Sequence, residues 1–123
     1  MNFRIKTSQR TGEKLKSLQA STGLTWNVLS RIAVGLSLRI PEIPELIQDK
    51  SGVDIHRNSM TGEHDYIYKA LIRQHAKRNL RDEEYFPDYF NAHLERGIQL
   101  LDNEYKHAGN YDKLLNNLLK INS

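Results

Sequence analysis

Cysteine is absent from the 123 residues. Disulfides, thiolate zinc sites and cysteine nucleophiles are therefore excluded together. The absence fits the cytoplasmic location expected for the protein. No run of about eighteen apolar residues occurs, so no membrane span is expected. The start, MNFRIKTSQR, lacks the apolar core of a signal peptide, and Sec export is not expected. Low-complexity tracts and internal repeats are missing as well. Prolines number three, two of them placed close together in Ile40-Pro41-Glu42-Ile43-Pro44. At this length one compact domain is expected, with a small core.

The net charge of +3 is modest; its distribution says more. Residues 1–40 hold seven bases (Arg4, Lys6, Arg10, Lys14, Lys16, Arg31, Arg39) against one acid, Glu13, a net +6. Residues 41–123 hold eleven bases and fourteen acids, a net −3. Such asymmetry predicts a front that faces a polyanion, DNA or RNA, and a solvated remainder. The proline-containing segment stands where the sign changes, and prolines so spaced end a helix. The chain then divides into a basic strand-helix-helix part (1–40), a loop region (41–61) and C-terminal helices (62–123).

Phe3-Arg4-Ile5-Lys6-Thr7 alternates apolar and basic residues, which predicts a short strand with Phe3 and Ile5 on one face. Ser8 is placed to cap a helix to about Ser21, with Leu15, Leu18 and Thr22 inward and Gly23 as terminator. Thr25 is placed to cap a second helix, Trp26 to about Arg39. Its apolar stripe is Val28, Leu29, Ile32, Ala33 and Leu36. Glu45–Gln48 suggests a short helical turn, and Val53-Asp54-Ile55-His56 a brief strand or an extended loop. A third helix is predicted from Gly62 to about Arg78, with Ile67, Ala70, Leu71 and Tyr66 toward the core. Pro87 suits the first turn of a fourth helix, about 86–107, with Phe90, Leu94, Ile98, Leu101 and Tyr105 buried. Asn110 opens a last helix with Leu114, Leu115, Leu118 and Leu119.

Strand, helix, Gly23-Leu24-Thr25 turn and helix follow the order of a ribbon-helix-helix module. The fold class expected is thus mainly α, a ribbon-helix-helix-like front followed by further helices; a plain helical hairpin is the simpler alternative. A lone strand cannot be stable, so two copies are expected to pair their strands. That ribbon would present Arg4 and Lys6 to the major groove. The amides at Thr25 and Trp26 could hold a phosphate, with Arg10, Lys14, Lys16 and Arg31 as further contacts. The stripe Val28, Leu29, Ile32, Ala33 and Leu36 is expected to form an oligomer interface.

Two later features admit structural readings beside functional ones. Trp26 could stack on an exposed base or pack inside a fold or interface. Gly97 in Glu95-Arg96-Gly97 would let another helix approach closely. His56, His64, His75, His93 and His107 contain no close i, i+4 pair, so no metal site or other cofactor is expected. His93 and Arg96, one helical turn apart, could form a small polar cluster. Asp82-Glu83-Glu84 reads as solvated charge leading a helix rather than a nuclease centre.

Asn27-Val28-Leu29-Ser30-Arg31-Ile32-Ala33, followed by Leu36-Ser37-Leu38-Arg39, resembles the signature of DndE proteins. Gly62-Glu63-His64-Asp65 with Leu71-Ile72, and His93-Leu94-Glu95-Arg96-Gly97-Ile98, resemble the same family in the same order. These are small subunits of the bacterial DNA phosphorothioation system, which exchanges a non-bridging phosphate oxygen for sulfur. The resemblance implies a homotetrameric subunit that binds nicked duplex DNA through surface lysines, for which Lys6, Lys14 and Lys16 match by position. It carries over no catalytic motif and leaves nicking activity open, and the reading taken from the residues is a non-catalytic subunit. It also implies iron–sulfur and ATPase-like partner subunits. A ribbon-helix-helix repressor or antitoxin, and a DNA-nicking enzyme, are the alternatives.

Overall fold

The computed structural model describes residues 4–121, so Phe3 lies outside the described residues. The chain opens with β1 (Arg4–Lys6), and β1 pairs antiparallel with β2 (Asp54–His56). The register is Arg4 to His56, Ile5 to Ile55 and Lys6 to Asp54. Alternation puts Ile5 and Ile55 into the core and leaves their neighbours in solvent. Beyond the strand, Thr7 N donates to Val53 O at 2.9 Å and Gly52 N to Thr7 O at 2.8 Å. This corrects the premise that β1 needs a second copy to find a pairing strand. The strand's unpaired backbone groups find their partner fifty residues away in the same chain.

Helix α1 (Gln9–Thr22) starts where Ser8 Oγ accepts from Thr11 N, and it ends at Gly23, whose φ of 76° suits a left-handed cap. Helix α2 (Trp26–Leu38) is capped by Thr25 in the same way. A single turn, α3 (Arg57–Met60), and a 3-10 turn at Gly62–His64 lead into α4 (Asp65–Ala76). Helices α5 (Phe90–Ala108) and α6 (Tyr111–Ile121) complete the chain.

The core is built on the antiparallel crossing of α2 and α5. At its centre a side chain on Gly97 would meet Ala33 O at 1.9 Å, so only glycine permits the approach. Leu29, Ala33 and Val34 from α2 and Leu94, Ile98 and Leu101 from α5 are buried there. Tyr85, Phe86 and Phe90 extend the core under α4, with ring centroids 5.6 to 6.1 Å apart.

Several expectations are corrected by this packing. Leu29 and Ala33 are 0% exposed inside one chain, so they belong to the core and not to an oligomer interface. Val28, Ile32 and Leu36 remain half-buried at the edge. Residues 45–48 form no helical turn. The regular part of the fourth helix begins at Phe90, because Phe86 before Pro87 is extended (φ −131°, ψ 123°). On α4 the buried positions are Ile72 and Ala76, while Tyr66, Ile67, Ala70 and Leu71 face outward. The rotation of α4 is set at its first residue. Asp65 takes two hydrogen bonds from the buried Arg57 guanidinium, at 3.0 and 2.7 Å. On α6, Leu114 is buried and Leu118 half-buried, whereas Leu115 and Leu119 are exposed.

The two glycines on the seam helices give opposite expectations. Gly97→Ala forces α2 and α5 apart and is expected to cost about 3 kcal/mol, as overpacking does. Gly35→Ala on the open face of α2 is expected to stabilise by about 0.5–1 kcal/mol through helix propensity. Urea denaturation of both variants measures the pair; equal effects would contradict this account of the seam.

Candidate nucleic-acid interface

The seven bases of the front are not equivalent in space. Lys6 stands exposed on the outer face of β1, and Arg10 and Lys16 are exposed on α1. Arg31 is exposed on α2, with its Nε donating to Asn27 O at 3.3 Å. None of these four takes part in an ion pair among the described residues. Arg4 does, reaching Asp54 across the ladder at 3.1 Å. Lys14 is half-buried with Nζ 2.8 Å from Asp102 on α5, and Lys106 reaches the same carboxylate at 3.0 Å. Lys14 thus pins α1 to α5, on a flank of α1 away from Lys16.

Arg31, Gly35 and Arg39 recur every fourth residue on the outer face of α2, which sets the two arginines about 12 Å apart along the axis. With Ile32, Leu36 and Leu118 of α6 they line an open groove of about 500 Å³. Arg39 was not among the residues singled out as DNA contacts; its i, i+8 relation to Arg31 was the signal available.

Helix N-termini attract anions, but the two at the front differ. The first turn of α1 is already filled: Glu95 accepts from Ser8 N at 2.9 Å, Ser8 Oγ at 2.7 Å and Thr11 Oγ1 at 2.8 Å. The first turn of α2 has only the Thr25 hydroxyl, 3.3 Å from Val28 N, and Thr25 is exposed. Trp26 beside it is half-buried, with an indole Nε1 that has no hydrogen-bond partner.

Residues suggestive of chemistry are occupied otherwise. Arg57 bridges Asp65 and Asp82, and its guanidinium lies 4.7 Å from the centre of the Phe86 ring. Hydrogen bonds from Arg57 above all hold the Asp82 carboxyl down to about 2. Glu84 is likewise held near 2 by Arg78 and Arg81. The acidic run 82–84 is therefore paired rather than freely solvated. No three His, Asp or Glu side chains among the described residues gather closely enough to hold a metal ion.

The expected polar cluster of His93 and Arg96 is present and larger than foreseen. His93 Nδ1 lies 2.8 Å from Ser37 Oγ, which also accepts from Arg96 Nε at 2.8 Å. Arg96 donates further to Ser37 O, Ile40 O and Glu42 O at 2.8, 3.3 and 2.6 Å. His75 of α4 donates to Ile40 O at 2.6 Å, and its ring meets that of His93 edge-on at 4.7 Å. His93 thus meets side chains, Ser37 and the ring of His75. Orphan carbonyls at the end of α2 are satisfied by this cluster.

The arrangement defines a class: a mainly α-helical protein whose strand-helix-helix front is closed by its own C-terminal helices and keeps Lys6, Arg10, Lys16 and Arg31 exposed without an ion pair among the described residues. Its sequence matches the family model "DNA sulphur modification protein DndE" over residues 4–109. The chain belongs to the DndE family. Its fold is similar to the crystal structure of DndE from Escherichia coli B7A involved in DNA phosphorothioation modification. The TM-score is 0.65 at 22% identity, over 82% of this chain and 98% of that one. A DndE G21/24K mutant involved in DNA phosphorothioation gives a TM-score of 0.64 at 22% identity, over 84% and 99%. No curated protein matches the chain. No helix among the described residues is long and apolar enough to cross a membrane.

Burial, then the neighbouring His75 and Arg96, pushes the His93 imidazole down to about 3. A histidine kept neutral when folded but free to protonate near pH 6.5 when unfolded favours unfolding as pH falls. Folding stability is expected to decline from about pH 6.5 toward pH 3, by on the order of 4 kcal/mol from this residue. Above pH 6.5 the residue adds no pH dependence. His93→Gln should flatten that part of the stability–pH curve in chemical denaturation; an unchanged slope would contradict a buried neutral His93.

Proposed function

We propose that the protein is a DNA-binding accessory subunit of the phosphorothioation machinery that works by binding and has no catalytic centre. The observation that supports this most is the contrast in pairing. Within residues 1–40, Lys6, Arg10, Lys16 and Arg31 are exposed without an ion pair among the described residues. Beyond residue 40, Arg57, Lys69, Arg78, Arg81 and Lys106 are paired with carboxylates, and Lys50, Lys77 and Lys113 are exposed without such a pair among the described residues. Unpaired exposed bases can release counterions to a phosphate backbone; paired ones must first lose a partner. Duplex DNA, nicked duplex in particular, is the ligand this reading assigns, with the open first turn of α2 as a phosphate seat.

The subunit also assembles with copies of itself, as a tetramer, and with the iron–sulfur and ATPase-like subunits in the cytoplasm. Self-assembly is supported by apolar side chains the single chain leaves uncovered: Val28, Ile32 and Leu36 half-buried on α2, and Leu119, 68% exposed, on α6. Reading the protein as a nicking enzyme has less support, since Arg57 occupies the space between Asp65 and Asp82 that a metal ion would need. For a two-copy ribbon repressor, the intrachain β1–β2 pairing removes the original motive.

Fluorescence anisotropy with nicked duplex tests the DNA reading. Replacing Lys16 and Arg31 together with alanine should weaken binding to all sequences. It should also flatten the slope of log K against log salt by about 0.9 per lost phosphate contact. Lys14→Ala should instead lower stability by about 1 kcal/mol, as a partly buried pair does, with a smaller change in slope. An unchanged slope in the double variant would place the DNA surface elsewhere.

A further inference from the structure

Between α2 and β2 the chain crosses the molecule as an extended strap, residues 41–49, with no helix or strand of its own. It is held at intervals. Ile40 O and Glu42 O accept from Arg96, and Ile40 O also from His75. Pro44 is buried, Ile47 is half-buried, and Asp49 accepts from Gln9 N at 2.9 Å. Between these anchors the amides of Ile43, Glu45, Leu46, Ile47 and Gln48 donate to no partner among the described residues. Ile43 and Leu46 are each 53% exposed. A preorganised extended segment with free amides has the properties of an unpaired sheet edge.

A pocket of about 430 Å³ opens beside this edge, between the strap, the start of α1 and α5. Pro44, Ile47 and Ala92 form its apolar walls, and Glu45, Gln99 and Arg10 stand around it. The strap itself differs in charge from the basic front, although Arg10 of that front borders the pocket. Residues 40–49 contain Glu42, Glu45 and Asp49 and no base. The carboxylates of Glu42 and Glu45 close no ion pair among the described residues, although Glu42 acts on Arg96 at a distance.

We propose that the strap and its pocket form a docking groove for an extended segment of a partner protein. That segment adds as a strand along residues 43–48, seats an apolar side chain between Pro44, Ile47 and Ala92, and turns lysine or arginine toward Glu42 and Glu45. Strand addition draws its affinity from main-chain hydrogen bonds and its specificity from a pocket for alternate side chains. An acidic strip repels a phosphate backbone and attracts a basic peptide, which selects a polypeptide over nucleic acid. The inference rests on the strap's geometry and charge, and it requires only that DNA does not cover the strap.

The probe is a fluorescein-labelled octapeptide alternating lysine and leucine, titrated with the whole protein. A twin peptide N-methylated at consecutive amides loses the donors of both edges and cannot add as a strand. Binding of the first is expected at on the order of 10 µM, with the twin about ten-fold weaker. Glu42→Gln with Glu45→Gln should weaken the first peptide several-fold and leave nicked-duplex binding unchanged. Ile43→Ser with Leu46→Ser should weaken it without changing the molar mass by light scattering. Absence of binding, or equal affinity for the two peptides, would overturn the proposal. So would displacement of the peptide by nicked duplex, which would make the strap part of the DNA surface. A change of mass in the serine variant would assign the strap to a second copy of the chain and overturn it equally.

Discussion

The close approach of α2 and α5 at Gly97 and Ala33 is the constraint on which the remaining architecture depends. A backbone carbonyl of one helix sits where a side chain of the other would be. Two helices that near bury Leu29, Val34, Leu94, Ile98 and Leu101 completely. Such a seam is largely complete within one chain, which is unusual for a strand-helix-helix front that would otherwise need a second copy. The C-terminal helix α5 covers the stripe of α2, and β2 covers the edge of β1.

Polar anchors then tie irregular segments to that seam, through two buried charged groups, Glu95 and Arg57, and the half-buried Arg96. Glu95 holds the first turn of α1, Arg96 the end of α2 and the strap, and Arg57 the start of α4 together with Asp82. A buried ion pair offers little net stability against a hydrophobic alternative, but removing one partner is costly. The value of these anchors lies in fixing where segments without regular structure run. Because Glu95 fills the start of α1 and Asp102 takes Lys14, fewer bases remain outside than the sequence contains. Of the seven at the front, Lys6 on β1, Arg10 and Lys16 on α1 and Arg31 on α2 stay exposed without an ion pair among the described residues.

Local signals in the sequence located the front well. Ser8, Gly23 and Thr25 bound two helices through short-range capping chemistry, and these are the ends observed. Gly97 was readable as a point of close approach because few other reasons keep glycine inside an amphipathic helix. The partner of β1 was not legible, since a fifty-residue separation leaves no trace in the alternation of either strand. The orientation of α4 was hidden for a different reason. Two apolar stripes compete on it, and the richer one, Tyr66, Ile67 and Leu71, faces out because Arg57 holds Asp65. Interface and core could not be told apart on α2, where Leu29 and Ala33 read like Val28 and Ile32 until α5 was in place. Candidate contacts were named by charge alone, so Lys14, which is paired, looked the same as Lys16, which is not.

The central claim is that one chain completes its own core and leaves an unpaired basic face for nucleic acid. Hydrogen exchange of the whole protein with and without nicked duplex addresses it most directly. In the free protein the slowest amides should lie in α2 and α5 around Ala33 and Gly97. On adding DNA, new protection should fall on β1, α1 and the first turn of α2, and leave residues 43–48 unchanged. Protection centred on α4 or the strap, with the front unaffected, would contradict the account.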